Sequence, residues 1–592
     1  MTMKKGYFGL LIAAVALAGC KDVLNKTDLS AADPSIIFRD SALATLSLNY
    51  VYDQNLPAWG GPTATTSLGG SSYTDESYGE SKYLEGSLTV TDVTDFGTAL
   101  NATNSYGKIR TINSFLQDLK NGTIKGGTRN RLLGQALFFR AWRYFELVKL
   151  YGGVPLVLTP QEAVGVEARE AAFLPRNSTS DCYKQISADL DSAIAYLPAK
   201  WSNPAVDWGR ITSGAAAALK GRVLLYAASP QFNPNDVTDK WKAAYDAGKQ
   251  AVAILSANGG ALHASFDQMW FQEQSNPEAV FITGYNTSSG DQAKKNNGYD
   301  NATRPKYTGT GGGSNQPSWE MVKAFPMLDG KKPGESTKYA YSDSTFFKNR
   351  DPRFEKTIAY NGSTWPLNGN AGYRLWTYYV GGKTTESSAT NTGFYTRKAI
   401  NPTLEASQVQ YAGTDWIEIR YAEVLLNLAE AAVGIGQLEE AYTQLKAIRK
   451  RAGIEAGTDG LYGLKASMTR AELFDAILYE RQIEFAFEGK RFWDLRRWKR
   501  IEKTLNGKRR TGVTVDLKAS VDAGTFLTIR DGLKLEEAYS NYFTITVKNL
   551  DTKYAINWKD SYYYFPIPSS AIDNNPKLIQ NSAWGGGFDP LQ

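Results

Sequence analysis

The segment from Trp416 to Gly453 carries a strong periodic pattern that constrains the fold more than any other feature. Apolar residues recur there with the period of a helix in two stretches, and Gly434 and Gly436 lie between the stretches as a turn. The two stripes are Tyr421, Val424, Leu425, Leu428 and Ala432, then Leu438, Ala441, Tyr442, Leu445 and Ile448. This spacing predicts two antiparallel helices. Because one such pair cannot bury its own apolar face, several pairs are expected to stack.

Four other stretches show the same helical period. They run from Leu133 to Tyr151 before Gly152-Gly153, from Tyr183 to Leu197 before Pro198, from a cap at Thr212 to Pro230, and from Trp241 to Leu255. Helix pairs of this length resemble tetratricopeptide-type hairpins, whose repeat is about 34 residues. We therefore predict a mainly α fold with stacked tetratricopeptide-type pairs, and a helical scaffold that occupies mainly residues 100–260 and 415–505.

Two long regions lack helical periodicity. Pro57 to Thr98 is rich in Gly, Ser, Thr and Tyr, and Ser275 to Thr414 contains two glycine runs among many Asn, Tyr and Trp residues. Such segments are too long to be simple connections, and long ordered loops are often functional. We predict a loop-rich ligand-binding region with minor β structure, mainly in residues 55–98 and 275–414.

Residues 1–19 are typical of a lipoprotein signal peptide. Lys4 and Lys5 precede an apolar run from Tyr7 to Ala18, which is too short for a membrane-spanning helix of roughly 20 residues. The run ends in Leu-Ala-Gly-Cys at 17–20, which resembles the bacterial lipobox. Lipidation of Cys20 would anchor the exported protein without a transmembrane helix. An ordinary secretory signal is the alternative.

The remaining composition leaves little for catalysis. His263 is the only histidine, which disfavours His-based zinc sites and Ser-His or Cys-His triads. With Cys20 lipidated, Cys182 stands alone and is expected to be an inert buried thiol. Removal of the leader with its two lysines lowers the net charge from +6 to +4, which gives little support for nucleic-acid binding. No cofactor and no metal site is predicted.

The charged segment from Glu480 to Arg500 is predicted to be structural. Apolar residues lie on more than one side of this helix, so Arg481, Glu484, Glu488 and Arg491 are expected to pair internally. The positive run that continues to Arg510 is expected to be a solvated loop.

Several blocks of the sequence resemble the SusD/RagB family of Bacteroidetes outer-membrane nutrient-binding lipoproteins. The blocks are FFRAWRYF (138–145), LYGGVPL (150–156), RDPRF (350–354), IRYAEVLL (419–426), AEA (429–431), ERQIEF (480–485), FEGKRFWDLRRW (487–498), PIP (566–568), NP (575–576) and QN (580–581). They occur in the order of the family, from the lipobox to the carboxyl terminus, so residues 20–592 are expected to form one SusD-like domain.

The resemblance implies a function as well as a fold. Family members are lipid-anchored at the cell surface, cover a SusC-like TonB-dependent outer-membrane transporter as a lid, and bind oligosaccharides or, in some branches, peptides. They are not enzymes. We therefore expect a glycan-binding lipoprotein that captures oligosaccharides on an aromatic platform and passes them to the transporter.

Aromatic residues in the polar loops are the candidate ligand contacts, since sugars pack their C–H faces on aromatic rings. Aromatics at helical spacing are assigned to the core instead. The candidates are Trp59, Tyr73, Tyr78, Tyr83, Tyr299, Trp365 and Trp376.

Three alternatives stay open at this point. The same architecture would bind peptides in a pocket with fewer parallel aromatic faces. A surface glycoside hydrolase would need two carboxyl groups about 5 to 10 Å apart, and no block resembles a hydrolase motif. A purely structural lid would leave the choice of cargo to the transporter. A structural calcium ion also stays open, although 291–300 lacks the alternating carboxylates of a calcium loop.

Overall fold

A computed structural model of the chain describes residues 34–59, 70–93, 105–162, 164–288, 295–305, 312–365, 370, 372–385 and 390–592. The predicted signal peptide and Cys20 lie outside the described residues, so both stay predictions. Among the helices of the described part, none has an apolar run long enough to cross a bilayer.

The described chain is mainly helical, as the sequence predicts. The helices are α1 (Pro34–Ile37), α2 (Ser41–Asn55), α3 (Lys82–Glu85), α4 (Ser105–Asn121), α5 (Gly126–Tyr151), α6 (Val166–Ala171), α7 (Thr179–Tyr196), α8 (Pro204–Asp207), α9 (Ser213–Ala228), α10 (Thr238–Ala257), α11 (Tyr299–Thr303), α12 (Trp319–Ala324), α13 (Arg353–Thr357), α14 (Tyr421–Gly434), α15 (Leu438–Ala452), α16 (Arg470–Glu484), α17 (Arg491–Arg497), α18 (Ile501–Leu505), α19 (Ala523–Ile529), α20 (Leu535–Asn541) and α21 (Ser569–Asn574). The strands are β1 (Ala279–Thr283), β2 (Ile358–Tyr360), β3 (Ser363–Thr364), β4 (Arg374–Leu375), β5 (Tyr379–Val380), β6 (Lys383–Thr384), β7 (Phe394–Thr396), β8 (Trp416–Arg420), β9 (Thr511–Leu517) and β10 (Phe543–Asn549).

Three helix pairs stack in sequence order to form the scaffold. Helix α5 packs on α7, α7 on α9, α9 on α10, α10 on α14, and α14 on α15. The chain leaves this array after α10 and returns to it at α14. The close approach of α10 and α14 depends on Gly434, because a Cβ atom there would lie 2.4 Å from Cδ2 of Trp241. The predicted stacking of helix pairs is therefore present.

The predicted helix boundaries agree with the local chemistry. The Thr212 side chain caps α9 by accepting a hydrogen bond from the Ala215 N–H, and Gly152 ends α5 with a φ of 76°. The turn at Gly434 and Gly436 also lies where it is predicted. The segment that starts at Trp416 differs from the prediction in its first five residues. They form strand β8, and the helix begins only at Tyr421.

The β structure is minor and lies mostly in the predicted loop-rich region. Strand β1 pairs antiparallel with β8, so that Ala279 faces Arg420 and Thr283 faces Trp416. A second sheet has the strand order β10-β9-β5-β6, and two short two-stranded pairs complete the described β structure. We call the segment between β1 and β8 the excursion, because the chain leaves the helical array after α10 and returns to it at α14. The β1–β8 pair joins the two ends of the excursion.

Cys182 lies in the largest apolar cluster, which includes Trp142 of α5 and Ile186 of α7. It is a buried free thiol, and burial raises its pKa to about 11. Its environment agrees with the predicted inert role, because the thiolate is the reactive form.

A balanced network of ten buried charges joins the scaffold to the loop-rich region, and we call it the charged junction. Its members are Arg353, Lys398, Arg420, Arg449 and Arg451, with Glu278, Asp351, Glu480, Glu484 and Glu488. The five cations and five carboxylates have almost no exposed side-chain surface. A buried charge is costly unless it is paired. The equal numbers of buried cations and carboxylates therefore allow each charge to have a partner.

Arg420 lies at the centre of the charged junction, at the end of β8. Its Nη1 is 2.6 Å from carboxylate oxygens of both Glu278 and Glu484, and its Nε is 2.8 Å from Glu488. Burial alone would raise the pKa of Glu484, but the cations around it hold that pKa well below its ordinary value. One guanidinium thus ties the segment before β1 to the end of α16.

The predicted internal pairing of Arg481, Glu484, Glu488 and Arg491 is confirmed. Arg481 pairs with Asp494 at 2.8 Å, and Arg491 pairs with Asp75 at 2.9 Å. The prediction of a solvated positive run is wrong for Arg510, which is buried. Its guanidinium pairs with Asp551 and also donates to backbone carbonyls between Ser72 and Gly79, so it holds the loop before α3.

We expect the variant Arg420→Met to lower the free energy of unfolding by ~3–5 kcal/mol, because five buried carboxylates would then share only four buried cations. Equilibrium unfolding in urea measures the change. The control is Lys242→Ala, which removes an exposed ion pair with Asp246 and should cost less than about 1 kcal/mol. Equal losses in the two variants would contradict a stabilising role for the junction.

Candidate functional site

Two of the seven predicted ligand residues, Trp59 and Tyr299, come together as a stacked pair. Their ring centroids are 4.2 Å apart and their planes differ by 13°. The Trp59 Nε1 donates a hydrogen bond to the Thr414 carbonyl at 2.9 Å, and the Tyr299 hydroxyl donates to the Lys398 carbonyl at 3.1 Å. Both rings are half-buried. We call Trp59 and Tyr299 the aromatic pair.

The buried indole rings of Trp270 and Trp416 pack against Trp59 of the aromatic pair. The centroid of Trp59 lies 5.2 Å from that of Trp416 and 5.7 Å from that of Trp270. Trp416 belongs to β8 and is fully buried, so the pair rests on the strand that closes the excursion from the scaffold. The pair is therefore held from both polar ends and from one face.

The three tyrosines of the segment 70–83 lie in different environments. Tyr73 and Tyr83 are buried and meet edge to face at 5.6 Å, and Tyr83 is 1% exposed because Trp558 packs on it at 4.1 Å. Tyr78 is half-buried, with the Arg510 guanidinium 5.6 Å from its ring centre. Of these three, only Tyr78 keeps substantial exposed surface.

Trp365 and Trp376 lie in two separate local cores. Trp365 has no exposed surface and packs with Leu375 and Tyr395. Trp376 is buried, and its Nε1 donates to Asp531 at 2.6 Å. In this conformation both side chains are buried, so neither presents an open ring face.

A cleft of about 540 Å³ opens around α8, and neither Trp59 nor Tyr299 lines it. Its walls are residues 199–212 around α8, residues 258–260 after α10, and residues 274–282 at the start of β1. Its volume falls within the roughly 300–1,000 Å³ that is common for small-ligand sites. Two half-buried tryptophans, Trp201 and Trp208, line it on either side of α8.

Trp208 of the cleft and the aromatic pair pack against the same buried cluster. That cluster contains Trp270 and Trp416. The Trp208 Nε1 donates to one oxygen of Asp415 at 2.7 Å, and the other oxygen accepts from the Tyr285 N–H at 2.8 Å. Asp415 therefore fixes the orientation of the indole at the cleft wall.

The polar groups of the cleft suit binding better than acid–base cleavage. Arg210 and Asp207 face each other at 3.4 Å, and Arg210 also donates to Asn49 at 2.9 Å. Among the described residues that line the cleft, Asp207 is the only carboxylic acid. Glycoside cleavage needs a pair of carboxyl groups, which this cleft does not supply.

Metal ligation has no preformed site in the part of the chain that the structure describes. No group of three or more His, Cys, Asp or Glu side chains there is arranged to hold an ion. The absence of a metal site stays a prediction.

The sequence analysis misses Trp201 and Trp208, because they lie within the range assigned to the scaffold. A local signal does exist. The segment 198–211 separates two periodic helices and contains both tryptophans among Ser, Asn, Pro and Gly. The same rule that selects Trp59 would select them if it were applied to short connections as well as to long loops.

We expect the stability of the wild-type protein to depend on pH through Asp415. Burial raises the pKa of this carboxyl from 3.8 to about 6, against the hydrogen bonds from Trp208 and Tyr285, which lower it. Since the folded protein then binds the proton more tightly than the unfolded chain, the stabilisation is complete below about pH 4 and is lost as the pH rises through about 6.

Urea unfolding of the wild type and Asp415→Asn between pH 4 and 7 measures this dependence. The wild type should lose on the order of 2 kcal/mol relative to the variant over that range. Parallel pH profiles for the two proteins would show that Asp415 ionises normally.

Comparison with known families gives two matches that together span most of the chain. The model described as the SusD family matches residues 277–584, and the model described as starch-binding associating with outer membrane matches residues 22–225. The first match covers more than half of the chain and includes all ten residues of the charged junction.

Three relatives match over nearly their whole lengths. The SusD-like protein P2 of Formosa agariphila is 24% identical over 540 residues, which is 84% of this chain and 91% of the relative. A crystal structure of a SusD-like protein from Bacteroides fragilis aligns with a TM-score of 0.71 and 25% identity over 93% of this chain and 98% of its own. A second structure from that organism, a SusD-like carbohydrate binding protein, aligns with a TM-score of 0.69 and 24% identity, over 92% of this chain and 99% of its own.

Proposed function

This chain belongs to the SusD family, and from that premise we propose that it is a non-catalytic glycan-binding lipoprotein of the outer membrane. The observation that carries the proposal is the aromatic pair, Trp59 and Tyr299. It brings two parts of the predicted ligand region together with ring surface still exposed, and its indole and hydroxyl groups are fixed by backbone carbonyls. Fixed, partly exposed rings are the surfaces on which sugars pack.

The family descriptions support the ligand class and the location. The description of the model that matches residues 22–225 names starch binding and association with the outer membrane. We propose that Cys20 carries the lipid anchor, that the protein faces the cell exterior, and that it passes oligosaccharides to a SusC-like TonB-dependent transporter. Capture on the aromatic surfaces would precede closure over the transporter.

A catalytic role has little support among the described residues. The two ring nitrogens of His263 each lie 2.8 Å from an oxygen, of Ser265 and Gln272, and Cys182 is a buried thiol with a raised pKa. Neither group is placed as a general base or nucleophile in the cleft. Binding without turnover is the activity that these side chains favour.

We expect the soluble form, which begins after Cys20, to bind at least one of maltohexaose, laminarihexaose, cellohexaose and xylohexaose in calorimetric titrations. Tyr299→Ala and Trp59→Ala should each weaken the bound hexasaccharide about tenfold, because each removes one ring of the pair. The matched control is Tyr50→Ala, which removes a 57% exposed aromatic ring on α2 and should not change affinity.

The outcomes of this screen separate the alternatives. Binding of a tryptic peptide mixture and of no saccharide would overturn the glycan assignment and favour a peptide-binding family member. Release of reducing sugar during the titration would overturn the non-catalytic assignment. Binding that is unchanged in both pair variants would remove the aromatic pair from the site.

We expect Cys20→Ala to abolish lipid attachment, since the anchor needs the cysteine thiol. Metabolic labelling with an alkyne palmitate analogue should mark the wild type and not the variant. Cys182→Ala is the control, because that thiol is buried and should leave labelling intact. Labelling of the Cys20 variant would contradict the anchor assignment.

A further inference from the structure

We propose that the cleft beside α8 is a second saccharide-binding site of this protein, and that it takes a short uncharged oligosaccharide. The inference rests on the proposed glycan-binding function and adds a site, a set of residues and a ligand class to it. The residues that define the site are Trp201, Asp207, Trp208, Arg210 and Gln274.

The two tryptophans provide fixed aromatic surfaces. The Trp201 Nε1 donates to the Ile211 carbonyl at 3.1 Å, and the Trp208 Nε1 donates to Asp415 at 2.7 Å. Both indoles therefore have their polar edges satisfied by the protein, and their remaining exposed surface in the cleft is apolar. A ligand with C–H faces suits such surfaces, and ordering it there costs no side-chain freedom of the indoles.

The charged groups of the cleft are paired with each other. Arg210 faces Asp207 at 3.4 Å, so the wall presents donors and acceptors side by side without an unpaired buried charge. Hydroxyl groups donate and accept, and they match such a wall. The one further cation that lines the cleft, Lys200, has an exposed side chain. An acidic sugar would instead require an unpaired cation inside the cleft.

Gln274 marks the cleft wall as a strained and exposed segment. Its φ is 54°, in the left-handed region that favours glycine, and its side chain is exposed. A left-handed backbone is strained for a residue with a Cβ atom, whereas glycine adopts it freely. The amide of Gln274 can donate and accept, as recognition of a hydroxyl requires.

Calorimetric titration with the four neutral hexasaccharides and with hexagalacturonate tests the site. Two sites predict two bound hexasaccharides per wild-type protein. Trp201→Ala should weaken binding at the cleft about tenfold and Gln274→Gly about threefold, and both variants should leave the affinity at the aromatic pair unchanged. Gln274→Gly should leave the thermal midpoint equal or higher, because glycine accepts the positive φ without strain. Loss of affinity without loss of stability therefore identifies a ligand contact.

The results distinguish failure of this site from failure of the glycan-binding function. If the wild type binds a neutral hexasaccharide and neither variant weakens it, the cleft assignment is overturned while the glycan-binding function stands. If the wild type binds no saccharide, both fall. If only hexagalacturonate binds and Trp201→Ala weakens it, the site stands and the uncharged ligand class is overturned.

Discussion

Pairing of buried charge at the charged junction is the interaction on which the rest of the structure depends. Arg420 lies at the point where the chain returns to the helical array, and its carboxylate partners come from the segment before β1 and from the end of α16. Apolar packing alone would tolerate small sliding of these elements. Paired charges in a medium of low dielectric constant do not, because each displaced group would lose its partner and stay dehydrated.

The helical part of the fold is predictable because its signals are local. Periodicity, the cap at Thr212 and the stop at Gly152 each act within one turn of the chain, and the structure contains them where the sequence places them. Four of the blocks that resemble the family contain residues of the charged junction, among them Arg353, Arg420 and Glu484. They identify the fold and contain little of the ligand surface.

The candidate site is less predictable because exposure is decided by distant partners. Tyr83 and Trp365 lie in polar segments, yet Trp558 and Tyr395 from elsewhere in the chain cover them. Trp201 shows the converse, a ring that stays open in a short connection between two buried helices. The prediction for Arg510 fails for the same reason. The sequence of a positive run does not show whether its last side chain is solvated or pairs with a distant carboxylate such as that of Asp551.

The β1–β8 pair makes the excursion between these strands structurally separable from the helical array. Thr283 and Trp416 are neighbours across this ladder, so the excursion between them starts and finishes at one place on the helical array. Closing a longer loop costs only about 0.6 kcal/mol for each doubling of its length. Relatives can thus diverge in the length and composition of this excursion while the repeat array keeps its register. A replaced excursion would need to keep only a few residues for the charged junction. These are Asp351, Arg353 and Lys398, whose charges the excursion contributes to it.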